Sequence, residues 1–156
     1  MIRSLQSDDY TPIITQLNEW WGGREMTHLL PRLFFEHFQD TSYALTKNEH
    51  IIAFLIGFRS QTDPTQAYIH FVGVHPLYRQ KGLAAQLYHT FFSKVQSLGC
   101  TEVRCITSPI NQTSIAFHTR LGFQLLPADT DENALPVYRN YDGKGQDRVL
   151  FRKILV

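Results

Sequence analysis

The chain has few charged residues and no long apolar segment, and each scarcity excludes a class of protein. Charged residues make up 19% of the 156 residues and the formal net charge is +1, so neither disorder nor bulk electrostatic binding to nucleic acid is expected. No apolar run approaches the about 18 residues that a membrane helix needs, and the N-terminal stretch MIRSLQSDDY lacks the apolar core of a signal peptide. These absences favour a cytoplasmic protein without a nucleic-acid or membrane partner.

Cysteine is also scarce, and no metal-ligand pattern is present. Cys100 and Cys105 are the 2 cysteines and lie in one apparent strand, at a separation that places their side chains on opposite faces. A disulfide between them is therefore disfavoured, and we expect two reduced structural thiols. The 7 histidines are scattered without the spacing of metal ligands. We predict no metal.

The length predicts one domain that spans residues 1–156. Alternating strand and helix signals are typical of an α/β or mixed domain. Apolar residues recur at helical spacing from Leu83 to Leu98, and Gly99 follows as a C-cap. The strands on either side of this helix should be parallel because a crossover joins them, whereas the earlier strands, linked by short turns such as that at Asn48 and Glu49, should be antiparallel. The polar, acidic stretch ADTDENALP is expected to connect the two final strands.

The stretch HFVGVHPLYRQKGLAAQLY, from His70 to Tyr88, places a basic turn between a strand and this helix. A helix N-terminus exposes unpaired N–H groups and the positive end of the helix dipole, so it can bind phosphate. Gly82 permits one close approach, and Arg79 and Lys81 add positive charge. This turn favours a pyrophosphate ligand; the alternative is a joint that binds nothing.

Gly73 interrupts the bulky strand that precedes the turn, which often marks a bulge or a close approach to the backbone. A ligand would then lie along the exposed backbone from Val72 to Val74. An extended molecule with amides on one part and a pyrophosphate at its end would match the strand and the turn together. Coenzyme A has this outline.

Two motifs carry a resemblance to a known family. VGVHPLYRQKGLAAQLY resembles the acyl-CoA-binding motif of the GNAT superfamily of N-acyltransferases, in which V-x-P or V-x-x-P leads to [QR]-x-x-G-x-[GA] and a helix. Arg79, Gly82 and Ala84 match its fixed positions. NQTSIAFHTRLGF is similar to the Asn-containing helix followed by L-G-F in the same family, and the resemblance extends from Ile2 to Leu155.

The resemblance implies an α/β (α+β) fold. Its central mixed, mostly antiparallel twisted sheet would have about six to seven strands and about four flanking helices, with a splayed parallel strand pair at the acyl-CoA site. It also implies direct transfer of an acetyl group from acetyl-CoA to a primary amine. The implied cofactor-binding residues are Val72, Gly73, Val74, Arg79, Gln80, Lys81, Gly82, Leu83, Ala84, Ala85 and Asn111. Asn111 has the alternative role of a helix cap.

Acyl transfer to an amine poses two proton-transfer tasks, because an ammonium with a pKa near about 10 must lose a proton and the leaving thiolate gains one. We predict His70 as the base, on the same strand face as Tyr68 and Val72 by strict alternation; the alternative is a half-buried histidine satisfied by a neighbour. His118 stands where the family often has a tyrosine. We predict that it protonates the thiolate; the alternative is a solvent-facing helix residue.

The acceptor site is expected near WWGGREM and near the C-terminal loop. Trp21 would form a flat wall, Arg24 would pair with an acceptor carboxylate or phosphate, and Tyr68 and Tyr141 are further candidate contacts. Core packing is the alternative for the tryptophans.

The acceptor itself stays open among a polyamine, an amino-acid-like compound, an aminoglycoside-like drug and a protein amine. A small-molecule N-acetyltransferase is the leading hypothesis. The rivals are a protein lysine or N-terminal acetyltransferase and a non-catalytic acyl-CoA-binding sensor. The residues leave open whether the chain forms a homodimer.

Overall fold

A seven-stranded mixed sheet organises the chain, and the computed structural model describes residues 1–156. The strand order is β1-β2-β3-β4-β5-β9-β6, and every neighbouring pair is antiparallel except β4 with β5. The strands are β1 Ile2–Ser4, β2 Tyr43–Lys47, β3 His50–Arg59, β4 Gln66–Val74, β5 Glu102–Thr107, β6 Gln124–Leu125 and β9 Val149–Ile154. The predicted mixed, mostly antiparallel sheet with one parallel pair is confirmed.

Four α-helices flank the sheet and divide its surroundings into two apolar cores. The helices are α1 Tyr10–Trp20, α2 Leu33–His37, α3 Leu83–Ser97 and α4 Gln112–Arg120. The side covered by α1 and α2 is called the α1 face, and the side covered by α3 is called the α3 face. Leu17 and Phe35 pack with Phe54 and Phe71 on the α1 face, whereas Leu87 and its neighbours in α3 pack on the opposite side of the sheet.

Two hairpin turns use left-handed backbone. Asn48 and Glu49 have φ of 51° and 66° and join β2 to β3, where a turn was predicted. The acidic stretch after β6, predicted only as a polar connection, instead pairs as β7 Thr130–Glu132 with β8 Leu135–Val137. The polar residues of this stretch do not predict a hairpin. The residue that fixes it is Val137, which is buried in the α3-face core formed by distant parts of the chain.

One extra residue interrupts the ladder between β3 and β4. Ile56 pairs with Phe71 and Gly57 pairs with Ile69, so His70 has no partner and forms a bulge. The bulge reverses the alternation of side chains. Ile69 therefore lies in the α3-face core and Phe71 in the α1-face core, although they are two positions apart.

The prediction that Tyr68, His70 and Val72 share one face is therefore wrong for Val72. Tyr68 stacks on Phe58 and His70 stacks on Phe34 of α2, both on the α1 face. Val72 packs against the α3-face core instead. Strict alternation fails here because the inserted residue shifts every later side chain of β4 by one position.

The two cysteines differ from their predicted arrangement. Cys100 precedes β5 rather than lying in it, and both thiols are free and buried in the same α3-face core. Burial raises the pKa of both thiols. They are packing groups, as expected of structural thiols.

A bulge was one of two expectations for Gly73, but the bulge falls at His70 and the glycine has a packing role. A Cβ on Gly73 would lie 2.5 Å from Cε1 of Phe54 and 3.2 Å from Cη2 of Trp21. The space beside this glycine is thus filled by aromatic rings of the α1 face. Glycine is required here because any side chain at this position would overlap the Phe54 ring and crowd the Trp21 ring.

We expect Gly73→Ala to lower the free energy of unfolding by about 1–3 kcal/mol, because the added methyl overlaps the Phe54 ring. Chemical denaturation measures this change. In a Phe54→Leu background the same substitution should cost less, because the ring that it meets is gone. An equal cost in both backgrounds would show that the Phe54 contact does not explain the glycine.

Candidate active site

The parallel strands β4 and β5 separate and leave a cleft in the sheet. They pair only from Gln66 to Tyr68 with Glu102 to Arg104. Beyond this point each strand continues without pairing to the other, and a cavity of about 130 Å³ opens between them. Its lining residues are Ile69, His70, Phe71, Val72, Tyr88, Cys105, Ile106, Ser114 and His118.

A larger cavity of about 480 Å³ lies elsewhere, between α1 and the turn from β2 to β3. Two of its charged residues neutralise each other, because Asp9 forms a bidentate ion pair with Arg3 at 2.8 and 2.9 Å. The smaller cleft instead combines two half-buried or buried histidines with an unpaired strand edge. We therefore take the cleft as the candidate active site.

The edge of β4 that faces the cleft carries free backbone groups. His75 N–H donates to Ile52 C=O at 2.8 Å, which fixes the phase of the antiparallel ladder. Alternation then turns the backbone groups of Gly73 towards β3 and those of Val72 and Val74 towards the open edge. Of these predicted cofactor-binding residues, Val72 and Val74 have the accessible amides.

The N-terminus of α3 lies beside this edge and exposes a run of amides. No hydrogen bond within the chain uses the N–H groups of residues 80–85; the first helical bond runs from Gln86 N–H to Gly82 C=O. Gln80 and Gly82 have φ of 62° and 76°, and such left-handed residues curve successive N–H groups into an anion-binding concavity. Residues Gln80, Lys81, Gly82, Leu83, Ala84 and Ala85 thus fit a pyrophosphate.

Arg79 has a different place from the one expected for a side chain that adds charge beside the ligand. Its Nε donates to Val74 C=O at 3.2 Å, and its terminal N–H donates to Trp20 C=O. The guanidinium therefore ties the turn to the end of β4 and to the last residue of α1. Lys81 is exposed, with its ammonium 5.7 Å from the centre of the Tyr78 ring, and supplies the free positive charge of the turn.

His70 lies on the α1-face wall of the cleft with one ring nitrogen occupied. Its Nε2 is 2.6 Å from the Leu29 carbonyl oxygen, and its ring stacks on Phe34 at 4.4 Å. Because a carbonyl only accepts, Nε2 carries the hydrogen and Nδ1 of the neutral ring carries the lone pair. Burial lowers the pKa of His70. The imidazole is thus held neutral with an accepting nitrogen, as a general base requires.

His118 lies on the opposite wall, and both of its nitrogens have partners. Nδ1 is 2.8 Å from the Ser114 carbonyl oxygen and donates to it, so Nε2 accepts the Tyr88 hydroxyl proton at 2.8 Å. The ring is buried against Phe151, and burial lowers its pKa. The solvent-facing alternative is wrong. The role of direct proton donor stays a prediction, and these hydrogen bonds count against it.

Asn111 caps α4. Its Oδ1 accepts a hydrogen bond from Ser114 N–H at 3.1 Å, and the residue is exposed. This geometry accounts for an asparagine here without a ligand, although the side-chain amide N–H groups remain free to donate.

The candidate acceptor residues lie on the α1 face. Trp20 is core, as the alternative reading held, whereas Trp21 is half-buried and packs 5.2 Å from Phe71 between ring centroids. Arg24 is exposed on the loop after α1, and the structure does not bring it into the cleft. Tyr141 is exposed and packs edge-on against Tyr138.

Charged residues of the C-terminal loop affect the pKa values of two side chains of β4. Burial raises the pKa of Tyr68, and the neighbouring Asp142 carboxylate raises it further. The same carboxylate opposes the fall in the pKa of His70. Asp142 is itself paired with Arg148 at 3.1 Å. The Asp142 carboxylate is therefore compensated within the loop.

Several residues of the site carry no recognisable sequence signal. The Leu29 carbonyl selects the tautomer of His70, but any residue supplies a carbonyl. Tyr88 occupies an ordinary core position of α3, and only its bond to His118 distinguishes it. Non-local pairing of this kind leaves no periodicity to read.

Metal binding and membrane insertion find no structural support. No three His, Cys, Asp or Glu side chains are grouped so that they could hold a metal ion. No helix has both the length and the apolar character needed to span a bilayer.

The splayed parallel pair, the free β4 edge and the exposed amides of α3 define an acyl-CoA-type transferase site. The sequence matches the profile of the Acetyltransferase (GNAT) family over residues 2–123. The chain therefore belongs to the GNAT acetyltransferase family and is an acyltransferase. No curated protein sequence matches it significantly.

Solved structures of GNAT enzymes share this fold. The ribosomal-protein-S18-alanine N-acetyltransferase of Escherichia coli aligns with a TM-score of 0.73 at 20% identity, covering 99% of this chain and 92% of its own. Ard1 of Thermoplasma volcanium aligns at 0.79 and 18%, covering 100% and 97%. Diaminobutyrate acetyltransferase EctA of Paenibacillus lautus, solved with L-2,4-diaminobutyric acid and coenzyme A, aligns at 0.74 and 17%, covering 97% and 92%. Protein and small-molecule acetyltransferases thus occur among the neighbours.

The buried state of His118 predicts a pH-dependent stability. Its folded pKa is lowered, so its contribution is complete above about pH 6.5 and is lost as the pH falls through the folded pKa. We expect His118→Gln to reduce the fall in unfolding free energy between about pH 7.5 and about pH 5. His70 retains its own share of that fall.

Denaturant titrations at each pH measure this effect, with His50→Gln as the control because His50 is exposed at the start of β3. The control should keep the wild-type slope. An unchanged slope in His118→Gln would mean that His118 is not held neutral by burial.

Proposed function

We propose that the chain, as one catalytic domain of residues 1–156, transfers an acetyl group from acetyl-CoA directly to a primary amine of a small molecule. The observation that carries the proposal is the neutral His70, with its accepting Nδ1, on the wall of the cleft between β4 and β5. The exposed amides at the start of α3 follow the end of β4, to which Arg79 ties the turn. An acid–base group and an anion-binding turn therefore lie along the same strand.

The chain's own groups fit acetyl-CoA. The N–H groups of residues 80–85 bind the pyrophosphate, with Lys81 adding charge. The open backbone groups of Val72 and the N–H of Val74 bind the amide-bearing arm, since Arg79 already occupies the Val74 carbonyl. When bound, acetyl-CoA supplies the activated acyl group. An amide of this edge also stabilises the developing oxyanion, which is worth about 3 kcal/mol in other acyl-transfer sites.

His70 takes the proton from the incoming ammonium through Nδ1, while the Leu29 carbonyl holds the ring in the required tautomer. Holding amine and acyl group together in the cleft removes much of the entropic barrier. His118 and Tyr88 form the opposite wall, with the tyrosine hydroxyl and Ser114 as polar groups at the cleft. In this proposal His118 is the group that protonates the leaving thiolate of coenzyme A.

A small acceptor is favoured by the enclosure of the α1 face. Leu29 and Phe34 hold His70 from one side, and the charges of the C-terminal loop lie close to Tyr68. Trp21 fills the space beside β4. These walls narrow the approach to His70, which suits a compact amine better than an extended polypeptide.

We expect His70→Ala to lower kcat/KM at neutral pH by about 10²- to 10⁴-fold, because the incoming amine loses its base. In the wild type kcat/KM should fall on the acid side, below the usual histidine pKa of about 6.5, because burial lowers the pKa of His70. The variant should lose this limb. Release of free thiol from acetyl-CoA with a panel of amines gives the rates.

His37→Ala is the matched control, since His37 is exposed at the end of α2 and should retain full activity. A pH profile of His70→Ala that coincides with the wild type would remove His70 from the proton transfer.

We expect Gly82→Val to weaken CoA binding about tenfold or more, because losing one charge-assisted hydrogen bond costs about 1.5 kcal/mol or more. The added side chain points into open space beside the exposed amides. Gly99→Val is the control: Gly99 also has positive φ, also faces open space, and lies just beyond the other end of α3. Calorimetric titration with CoA should separate the two; equal affinities would contradict the pyrophosphate assignment.

A further inference from the structure

A row of four side chains crosses the sheet beside His70. Tyr68 of β4 pairs with Arg104 of β5, Arg104 pairs with Arg152 of β9, and Arg152 pairs with Gln124 of β6. The apolar residues that alternate with these arginines are buried in the α3-face core. The row therefore projects from the opposite side, the α1 face.

No helix covers this part of the α1 face. The apolar core formed with α1 and α2 contains residues of β2, β3 and β4, but none of β5, β9 or β6. The strip that begins at Tyr68 and runs to Gln124 thus lies beyond the edge of that core. It continues the surface on which His70 lies, because His70 is two positions after Tyr68 in β4 and on the same face.

The charges along this strip do not balance. Arg104 pairs with Glu102 at 2.6 Å, and Arg148 in the nearby loop pairs with Asp142 at 3.1 Å. Arg152 has no carboxylate partner among the ion pairs of the chain, and its Nε is buried without any hydrogen-bond partner. Arg152 is half-buried, so part of its guanidinium stays accessible, and it gives this strip a cation without a carboxylate partner.

We propose that Arg152 binds an anionic group of the acceptor, which is a small amino-acid-like amine that carries a carboxylate. This inference rests on the proposed acetyltransferase function. A guanidinium accepts a carboxylate in a bidentate arrangement with high directional specificity. Tyr68, whose hydroxyl makes no hydrogen bond in the chain, lies in the same row and offers a second polar contact.

Spacing and charge both fit such a molecule. Adjacent strands lie about 4.8 Å apart, so the backbones of Tyr68 and Arg152 are about 10 Å apart and their side chains bridge much of that interval. An acceptor of this length with its carboxylate at Arg152 reaches the Tyr68 end of the row, two positions before His70 in β4. Arg152 supplies the positive group at the other end, since it has no carboxylate partner within the chain.

The test compares amines that differ only in a carboxylate: lysine with cadaverine, and ornithine with putrescine. We expect the wild type to prefer the carboxylated member of at least one pair. Arg152→Gln should lower kcat/KM for that amino acid by about 10- to 100-fold, mainly through KM, and change the matching diamine little. Arg152→Lys should restore part of the loss.

Arg120→Gln is the matched control, because Arg120 is exposed on α4 and away from this strip. It should leave both members of each pair unaffected. If the diamines are acetylated as well as the amino acids and Arg152→Gln affects both alike, the role of Arg152 is wrong while the acetyltransferase function stands. If aminoalkyl phosphates are preferred over both, the carboxylate assignment is wrong.

Binding separates the two proposals when no amine in the panel is acetylated. Calorimetry on protein saturated with CoA should then detect lysine or ornithine in the wild type and lose that signal in Arg152→Gln. Binding without turnover would overturn the proposed catalysis and support the anion site. The absence of any binding would overturn the anion site.

Discussion

The single inserted residue in β4 is the constraint on which the site depends. Because His70 has no partner in β3, the strand reverses its alternation there, and Ile69 and Phe71, two positions apart, enter opposite cores. Pairing with β5 ends two residues earlier, at Tyr68. The same short segment thus carries the candidate base and opens the sheet. A regular strand would have turned the later side chains of β4 to the opposite faces.

The two histidines of the cleft have similar burial but different hydrogen bonds. Burial lowers the pKa of both, so both are neutral. His70 donates its one N–H to the Leu29 carbonyl, and the lone pair of its other ring nitrogen has no partner within the chain. His118 uses its N–H on Ser114 and its lone pair on Tyr88. The first keeps a nitrogen that can accept a proton, whereas both nitrogens of the second already have partners within the chain.

Sequence patterns predicted best where local rules suffice. The apolar period of α3, the turn at Asn48 and the glycine at the start of α3 all follow from backbone preferences over a few residues. Sequence patterns failed to predict features that depend on contacts with residues far away in the chain. The hairpin ending at Val137 depends on a remote core, and the requirement for Gly73 comes from the Phe54 and Trp21 rings.

The sequence by itself determined the family, the mixed sheet and the glycine turn before α3, because these rest on motifs and periodicities that are local in the chain. Only the tertiary structure decided which nitrogen of His70 is free, that Arg79 clamps the turn to α1, and that Arg152 lacks a partner. Each of those facts depends on atoms brought together from distant strands and loops. The pairing of strands and loops that are distant in the sequence, rather than any local pattern, therefore determines which groups of His70 and Arg152 are available to an acceptor.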